Sequence, residues 1–464
     1  MSESSRSTIS RRIAQFSCSF HPDLLRPAHF RQVGRALVDT IGVALAGRTE
    51  PVSQAIWRYV CSRPGPTSSG ATAWGRGIAL AAEEAALYNG VAGHVLDYDD
   101  VNSPFRGHPS IALVPPLVAL AQARNLDGRR LASAYIVGFE IIVRLGRAMV
   151  RDHYAKGWHA TTTLGTIGGA VACSHLLGLS EEETVNAIAL AVAQAAGTRG
   201  NFGTMAKSFQ AGHCGASAVR AAILAESGVD GARDVLDGRQ GFAKLYGNNE
   251  DLGAAFETLG IRGMPGETPY EIDGSGIEIK KYPMCYAAHR SIDGMLDLRA
   301  EHGIRASDVA AIHVQANRRA LVPLIYDRPY TGLQGKFSLQ YAMAAALLDG
   351  YVRLSSFTDE AVQRPGAQDL IRRVSCVEDD GPEFPRWNIL QLTLKTGAVL
   401  CKEVRQLRGS SELPLSDEQL QEKWRDCLEH ARLAGEGEVF FGAALEDLDK
   451  MSVRDLFSNL PAHA

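Results

Sequence analysis

The chain has 464 residues, of which 45% are hydrophobic and 22% charged, a balance typical of folded globular proteins and not of disordered ones. With 48 basic and 52 acidic residues the net charge is −4, so no overall positive field attracts nucleic acid or an anionic membrane. A chain of this length exceeds what one hydrophobic core usually supports, and two domains are predicted.

The eight cysteines are scattered and form no CxxC pair, which argues against a zinc ribbon, a redox dithiol and a secreted disulfide framework. The Ser- and Arg-rich start lacks the apolar core of a secretory signal. No stretch reaches 18 uninterrupted apolar residues. We therefore expect a soluble cytoplasmic protein with neither a membrane nor a nucleic acid as partner.

Helical spacing of apolar residues dominates the first half of the chain. From about residue 30 to 227 the segments VGRALVDTIGVALAG, LASAYIVGFEIIVRLGRAMV and TVNAIALAVAQAAG are separated by short polar or glycine breaks. These segments are rich in Ala and Gly, which allows helices to approach closely. The pattern predicts a bundle of tightly packed, largely buried helices.

After about residue 266 the pattern changes to alternating and β-branched residues. Strands are predicted for IEIKKYP, VAAIHVQAN, LIRRVSCVE, NILQLTLK and AVLCKEVRQ, the last two joined by a hairpin turn at Thr396-Gly397. Helices are predicted for 287–302 and 337–348, and a capping box of Ser416 and Gln419 opens a returning helical segment.

These elements predict a mainly α fold, with a large all-helical domain and an inserted smaller α+β lid domain. The helical domain is assigned residues 1–268, the lid 269–412, and the C-terminal helices that return to the first domain 413–464.

The densest polar cluster runs from His94 to Asp100 in the sequence HVLDYDD and is followed by SPFRGHPS. His94 and Asp97, spaced i, i+3, are expected to share a helix face. The loop that follows carries Arg106 and His108, and such a loop at a helix end can bind a carboxylate.

Two other interpretations of this cluster stay open. The aspartates can simply end a helix while the histidines pack in the core. A metal site is the other, since HxxDxD supplies nitrogen and oxygen ligands, although no HExxH motif and no second His-rich pair accompany it.

Two further clusters lie in the helical half. Gly-Trp-His159 forms a turn at a helix start that can direct an imidazole into a cleft, although a single histidine is more often structural. Lys207 lies among Gly, Thr, Met and Phe with few acids nearby in the sequence. Apolar surroundings lower the pKa of a lysine and suit it to acid–base work, but a lysine that reaches solvent is an equal alternative.

In the second half, KKYPMCYAAHR contains Lys280 and His289, with a predicted strand ending at proline and a helix beginning near His289. The amides of that helix start and His289 can bind an anion. Cys285 has no evident His–acid partners and is interpreted as a buried small hydrophobic residue. Tyr326, in YDRP, adds a phenol.

Taken in order, the motifs DYDD, HPS, GWH, GTMxK, KxYPxCxxxH and YxRPxxxxxxKFSLxY resemble those of the MmgE/PrpD family of dehydratases, decarboxylases and epimerases. The resemblance implies an active site between a helical domain and a lid, a homodimer, and no metal or organic cofactor. It places the family's site residues at Asp97, His108, His159, Lys207, His289 and Tyr326.

The chain departs from the family pattern after the motif lysine. Many members have a His followed by AGxAA there, whereas this chain reads SFQAGHCGAS, with Gln210 and His213. SPFRGHPS, HYAKGWH, NFGTMAK and KKYPMCYAAH look more like iminodisuccinate epimerases than 2-methylcitrate dehydratases. Arg106 is an extra carboxylate anchor in that subgroup.

The family's reactions dehydrate 2-methylcitrate, decarboxylate cis-aconitate or epimerise iminodisuccinate, and each changes bonding at a carbon next to a carboxylate. Stabilising the resulting charge without a metal requires preorganised cations and hydrogen-bond donors. We hypothesise that Lys207 and His159 form the acid–base pair, Asp97 orients an imidazole, and Tyr326 donates from the lid. Carboxylates are bound by four residues: His108, Arg106, Lys280 and His289.

The resemblance thus implies a cofactor-independent lyase or isomerase acting on a small di- or tricarboxylate, similar to 2-methylcitrate dehydratase. Iminodisuccinate epimerase-like and cis-aconitate decarboxylase-like activities are alternatives within the family. A metal-dependent hydrolase and a non-catalytic carboxylate-binding protein are alternatives outside it.

Overall fold

The fold was analysed in a computed structural model that describes residues 7–63, 70–248, 251–260 and 270–462. By its internal contacts the chain divides into unit 1, residues 1–278 with 427–464, and unit 2, residues 279–426. The predicted boundary at 268/269 falls within 261–269, outside the described residues. The boundary predicted at 412/413 lies before the helix Asp417–His430. The observed division, between Asp426 and Cys427, falls within that helix.

Unit 1 is built almost entirely of helices. They are α1 (Ile9–Ser19), α2 (Pro27–Gly47), α3 (Pro51–Cys61), α4 (Ala82–His94), α5 (Pro109–Arg124), α6 (Gly128–Ala155), α7 (Ala160–Leu177), α8 (Glu181–Val192), α9 (Met205–Glu226), α10 (Phe242–Tyr246) and α11 (Leu252–Phe256). One small antiparallel sheet, β1 (Ala71–Ala73) with β2 (Ile78–Leu80), interrupts the predicted helical region. Gly75 and Gly77, both with positive φ, make its turn possible.

The inner helices of unit 1 pack closely because their contact faces carry small residues. Helix α4 packs against α9, and their backbones meet at Gly90 and Gly212. A Cβ atom added to Gly90 would lie 2.8 Å from the Cα of Gly212, closer than van der Waals contact allows. The predicted small-residue helix interface is confirmed here, and it brings the end of α4 near the start of α9.

Replacing Gly90 by alanine is expected to destabilise the protein by about 1–3 kcal/mol, because the new methyl group overlaps the α9 backbone. Gly442 is the matched control, since it lies in helix Glu438–Glu446 and a Cβ there meets nothing within 4 Å. Gly442→Ala should therefore stabilise by about 0.5–1 kcal/mol. Equal unfolding midpoints of the two variants in urea would contradict the close approach.

Unit 2 combines helices with a four-stranded sheet. Its helices are α12 (His289–His302), α13 (Gly332–Gly335), α14 (Leu339–Asp349), α15 (Asp359–Gln363) and α16 (Pro365–Ile371), and its strands are β3 (Val309–Ala316), β4 (Val374–Glu378), β5 (Asn388–Leu394) and β6 (Val399–Val404). The strand order is β4-β3-β5-β6, with β3 and β4 parallel and the other pairs antiparallel. Helices α12 and α14 supply buried residues to its core, among them Ile292 and Leu347.

Helix α17 (Asp417–His430) spans the division between the units, and α18 (Glu438–Glu446) and α19 (Val453–Phe457) belong to unit 1. The predicted capping box before α17 is confirmed. The backbone N–H of Gln419 donates to Ser416 Oγ at 3.2 Å, and the backbone N–H of Ser416 donates to Gln419 Oε1 at 3.0 Å. The hairpin between β5 and β6 is also confirmed, with Gly397 at φ 88°.

The predicted mainly α fold with a smaller sheet-containing domain is confirmed. The predicted strand at 277–283 is wrong, because only Glu278 forms a bridge there, with Val101. Past that residue Pro283 lacks an N–H, and the Lys280 carbonyl accepts a hydrogen bond from Lys423 Nζ at 2.8 Å instead of from a strand. Among the described residues no helix combines the length and apolar character needed to cross a bilayer.

Candidate active site

Three helices of unit 1 begin at residues predicted for the site. His108 is the N-cap residue of α5, His159 is the N-cap residue of α7, and Lys207 lies in the first turn of α9. Both histidines have an extended backbone, as N-cap residues usually do. Pro109 follows His108 at the first position of α5, which favours the start of a helix there. Gly157, with φ 94°, turns the chain two residues before His159. The predicted turn of Gly-Trp-His at a helix start is confirmed.

Asp97 lies outside the helix that carries His94. Helix α4 ends at His94, and Asp97 has a left-handed backbone with φ 53°, which turns the chain away from the helix axis. The expectation that His94 and Asp97 share a helix face is therefore wrong. Asp97 Oδ1 lies 2.7 Å from Lys207 Nζ and 3.7 Å from His108 Nε2.

The ion pair changes the interpretation of Lys207. Few acids flank the lysine in the sequence, yet Asp97, 110 positions away, contacts its ammonium directly. The ring of Phe202 lies 5.6 Å from Nζ and supplies the apolar side of the environment. Lys207 is thus a cation held by one carboxylate beside an aromatic ring.

Asp99 joins two imidazoles through a single carboxylate oxygen. His94 Nδ1 hydrogen-bonds to Asp99 Oδ2 at 2.8 Å, and His108 Nδ1 lies 3.2 Å from the same oxygen. The rings of His94 and His108 meet edge to face with centroids 4.7 Å apart. Asp99 and His94 are fully buried, and Asp99 lies closer to His108 than Asp97 does, at 3.2 Å against 3.7 Å.

Burial and charge act in opposite directions on this group. Burial by itself raises the pKa of Asp99, but the neighbouring imidazoles of His108 and His94 outweigh it and hold that pKa well below its ordinary value. Burial lowers the pKa of His94 to about 4 in spite of Asp99. At neutral pH Asp99 is therefore ionised and His94 is neutral. His94 donates its Nδ1–H to Asp99. The Nε2 atom of His94 is buried and has no hydrogen-bond partner in the described part of the chain.

The adjacent carboxyl of Asp100 has the opposite protonation state. It accepts a hydrogen bond from Ser110 N–H at 3.1 Å and contacts Ser110 Oγ, which lies 2.6 Å from Tyr135 Oη. Burial, and then the negative charge of Asp39, raise the pKa of Asp100 well above its ordinary value. A protonated Asp100 links the turn that carries Asp99 to the first turn of α5.

Asp100→Asn should change how stability depends on pH. The wild-type carboxyl ionises at its ordinary pKa in the unfolded chain but resists ionisation in the folded protein. Its contribution to the free energy of unfolding is therefore full below the ordinary pKa and is lost as the pH rises. Asn imitates the protonated acid and removes this loss. The stability of the variant relative to wild type should therefore increase as the pH rises from 4.5 to 7.5. Urea unfolding at both pH values measures it; a pH-independent difference would count against a protonated Asp100.

His159 contacts an amide, and no carboxylate partner of its ring is found in the part of the chain that the structure describes. Its Nδ1 lies 2.9 Å from Gln210 Oε1, and its ring meets Phe202 edge to face at 5.0 Å and His94 at 6.0 Å. Burial lowers the pKa of His159 well below its ordinary value, and the neighbouring basic groups of His94 and Lys207 act in the same direction. His159 is accordingly neutral at physiological pH.

Arg106 lies in the loop before α5 with a left-handed backbone, φ 52°, and an exposed side chain. Its backbone N–H donates to Asn102 O at 2.9 Å, while no hydrogen bond of its guanidinium is found within the described residues. The side chain is thus available to solvent and to a ligand.

The three predicted residues of unit 2 have different environments within that unit. His289 begins α12, is fully buried, and has Nε2 3.2 Å from Met284 O. Lys280 is also buried, at 2% exposure, whereas Tyr326 is 37% exposed and its backbone N–H donates to Phe337 O. Cys285 is buried, as predicted for a small hydrophobic residue.

Comparison with known proteins identifies the family. The MmgE/PrpD N-terminal domain matches residues 11–255, and the MmgE/PrpD C-terminal domain matches residues 282–438. The chain belongs to the MmgE/PrpD family. The resemblance inferred from the motifs is therefore confirmed over most of the chain.

Several curated relatives of this MmgE/PrpD protein are named as lyases. Cis-aconitate decarboxylase of Homo sapiens is 30% identical over 419 residues, covering 84% of this chain and 82% of the relative. The Mus musculus protein of the same name is 30% identical over 441 residues, covering 91% and 88%. The 2-methylcitrate dehydratase of Cupriavidus necator is 25% identical over 392 residues, covering 78% of each. The prediction of an enzyme of this family is confirmed.

The cluster also contains a group that could hold a metal ion. His94, Asp99 and His108 have ligand atoms within 4.8 Å of one another, and no other such group is found among the described residues. The metal site considered from the HxxDxD motif consisted of His94, Asp97 and Asp99. In the structure Asp97 lies outside the group, and His108 takes its place. The fit of this group is poor as the side chains stand, because a hydrogen bond to Asp99 occupies His94 Nδ1, which would have to lose its proton to coordinate. The absence of a metal cofactor stays a prediction.

Four residues of the site in this MmgE/PrpD chain were not among the predicted site residues: His94, Asp99, Gln210 and Phe202. His94 and Asp99 lie in the polar run already singled out, and their spacing of five becomes a contact only because the helix ends at His94. Gln210 and Phe202 lie on either side of Lys207 in the sequence. Gln210 stands out in the sequence only as a departure from the family pattern, and Phe202 carries no chemical signal of its own.

Proposed function

We propose that the protein is a cofactor-independent lyase that performs acid–base chemistry next to a carboxylate of a small di- or tricarboxylate. The observation that carries this proposal is the grouping of a neutral His159, the pair of His94 and His108 on an ionised Asp99, and the Lys207 ammonium. Neutral imidazoles accept protons, and a fixed ammonium stabilises the negative charge that develops when a carbon next to a carboxylate loses a proton or carbon dioxide.

In this mechanism Lys207 and His159 share the proton transfers. In a dehydration, His159 takes the proton from the carbon next to the carboxylate, and Lys207 protonates the departing hydroxide as the C–O bond breaks. In a decarboxylation, the electron pair of the breaking C–C bond moves onto the neighbouring carbon chain, and an acid of the site then protonates carbon. Lys207 lies 2.7 Å from Asp97, which keeps the ammonium in place for either task.

The carboxylates of the substrate need positive partners. In unit 1 we assign this role to His108 and Arg106, because His108 caps a helix start and Arg106 has an exposed guanidinium. In unit 2 we assign it to His289 and Lys280, with Tyr326 as a hydrogen-bond or proton donor, as the family resemblance implies.

Cis-aconitate is the first substrate to test, because proteins named cis-aconitate decarboxylase are 30% identical over most of the chain. 2-Methylcitrate follows, with a 25% identical relative. Epimerisation of iminodisuccinate is the second candidate, favoured by Arg106 and Gln210, which depart from the dehydratase pattern in the sequence. The epimerase removes and returns one proton, so it needs no leaving group.

The purified protein should be incubated separately with the three acids, following alkene absorbance, carbon dioxide release and isomer exchange. We expect turnover of one of them that survives EDTA and is lost in His108→Asn but not in His21→Asn, which alters an exposed histidine. No turnover by a folded protein would favour the carboxylate-binding alternative. Loss of activity on chelation, with metal found in the protein, would favour the metal-dependent hydrolase.

We further propose that the enzyme acts as a homodimer in the cytoplasm. The scattered cysteines, all free, support a reducing compartment. Light scattering after size-exclusion chromatography should give twice the mass of the 49.9 kDa chain, and a monomer would contradict the proposal.

A further inference from the structure

His159 is held by a neutral amide, whereas His94 and His108 share a carboxylate. We infer that Gln210 is a positioning residue that fixes His159 in the tautomer with hydrogen on Nδ1, leaving Nε2 as a neutral proton acceptor. The catalytic consequence of this inference rests on the proposed function, but the tautomer itself does not.

The orientation of the Gln210 amide follows from its second partner. Gln210 Nε2 lies 3.2 Å from Thr198 O, and a carbonyl oxygen can only accept, so the NH₂ group must face Thr198. The carbonyl Oε1 of Gln210 therefore faces His159, 2.9 Å from Nδ1. Because that oxygen also only accepts, Nδ1 must carry the hydrogen, and the neutral ring then has its lone pair on Nε2.

Both partners are held firmly around this contact. The backbone N–H of His159 donates to Gly197 O at 3.1 Å, and Gln210 is buried. Gly197 has φ 124°, and a Cβ atom there would lie 3.2 Å from Gln210 Oε1. The glycine thus permits the close packing of the 197–198 loop on the amide, with little space for the amide to rotate.

The charges around His159 explain why an amide differs from a carboxylate here. Among the described residues, the titratable groups with the largest effect on His159 are His94 at the end of α4, His108 at the start of α5 and Lys207 on α9, and all three are basic. A Glu at position 210 would place a negative charge against His159 and would favour the imidazolium. Gln210 holds the ring without supplying that charge.

Gln210 also connects His159 to the lysine. It follows Lys207 by three positions on α9, so the same helix turn presents the ammonium and the amide. The proposed acid and the residue that positions the proposed base therefore lie on one helix.

The test uses histidine labelled with ¹⁵N in the full-length protein, with the His159 signals assigned by their loss in His159→Gln. In wild type we expect a protonated Nδ1 and an unprotonated Nε2 from pH 5.5 to 8. In Gln210→Glu we expect both nitrogens to be protonated at neutral pH and the acid limb of the kcat/KM profile to move up by one pH unit or more. In Gln210→Met, kcat should fall at least about tenfold with KM nearly unchanged.

Gln194→Glu is the matched control, because it places the same charge on unit 1 beside Arg220 without contacting His159. It should leave the His159 signals and the pH profile unchanged. A wild-type His159 protonated on Nε2 overturns the inference, as does a folded Gln210→Glu variant with the wild-type tautomer and pH profile. If none of the three acids is turned over, the proposed function fails while the NMR result still decides the tautomer.

Discussion

Lys207→Met is expected to lower kcat/KM by about 10³-fold or more, with the fold retained. In the proposed mechanism the ammonium meets developing negative charge, and removal of one such group typically costs about 10²- to 10³-fold. The variant also leaves the Asp97 carboxylate without the partner now 2.7 Å away, which adds repulsion toward an anionic substrate. Steady-state kinetics on whichever of the three acids the wild-type protein turns over measure the loss, and circular dichroism checks the fold.

Two controls separate catalysis from charge balance. Lys244→Met removes an exposed lysine from α10 and should leave kcat/KM unchanged. The double variant Asp97→Asn with Lys207→Met removes both charges of the pair. If Lys207 only neutralised Asp97, the double variant would recover activity; we expect it to stay impaired. Full turnover by folded Lys207→Met would remove the central claim of the mechanism.

Asp99→Asn is expected to reduce kcat by about 10²- to 10³-fold, with a smaller change in KM. The Asp99 carboxylate oxygen lies within 3.2 Å of two Nδ1 atoms, those of His94 and His108. An Asn side chain keeps one acceptor oxygen, which can stand in place of Oδ2, but it removes the negative charge that both imidazoles contact. The two rings are then held less firmly, because a charged acceptor binds more strongly than a neutral one.

Asp100→Asn is the matched control for Asp99→Asn, since it makes the same change at the next residue, where the acid is already protonated. It should retain most of the wild-type kcat. Similar losses in the two variants would mean that Asp99 acts through general disturbance of the turn and not through the histidines. A histidine NMR spectrum of Asp99→Asn should show altered signals for His94 and His108.

Much of the fold follows from local patterns that the sequence displays directly. The Ser416/Gln419 capping box and the turn at Thr396-Gly397 depend on residues a few positions apart, and both appear as predicted. The strand predicted at 277–283 does not form, because its backbone groups find partners elsewhere. One such partner is the Lys423 ammonium, which no local pattern in 277–283 indicates.

The site shows the same limit. His108 and His159 could be placed at helix starts from the proline and glycine beside them. The partner of Lys207 could not be predicted from the sequence. Asp97 is 110 positions away and reaches the lysine only when α4 packs on α9. The end of α4 at His94 and the left-handed backbone of Asp97 decide that Asp99, rather than Asp97, lies against His94.

The sequence by itself determined the family, the mainly α architecture with an inserted sheet-containing domain, and a set of acid, imidazole and ammonium residues suited to proton transfer. These are properties of residue type and of spacing along the chain. Only the tertiary structure decided which groups are charged. Asp99 and Asp100 are neighbours in the sequence, yet contact with two imidazoles favours ionisation of one, while burial near Asp39 favours protonation of the other. Burial and proximity in space set these states, and neither is encoded in the order of the residues alone.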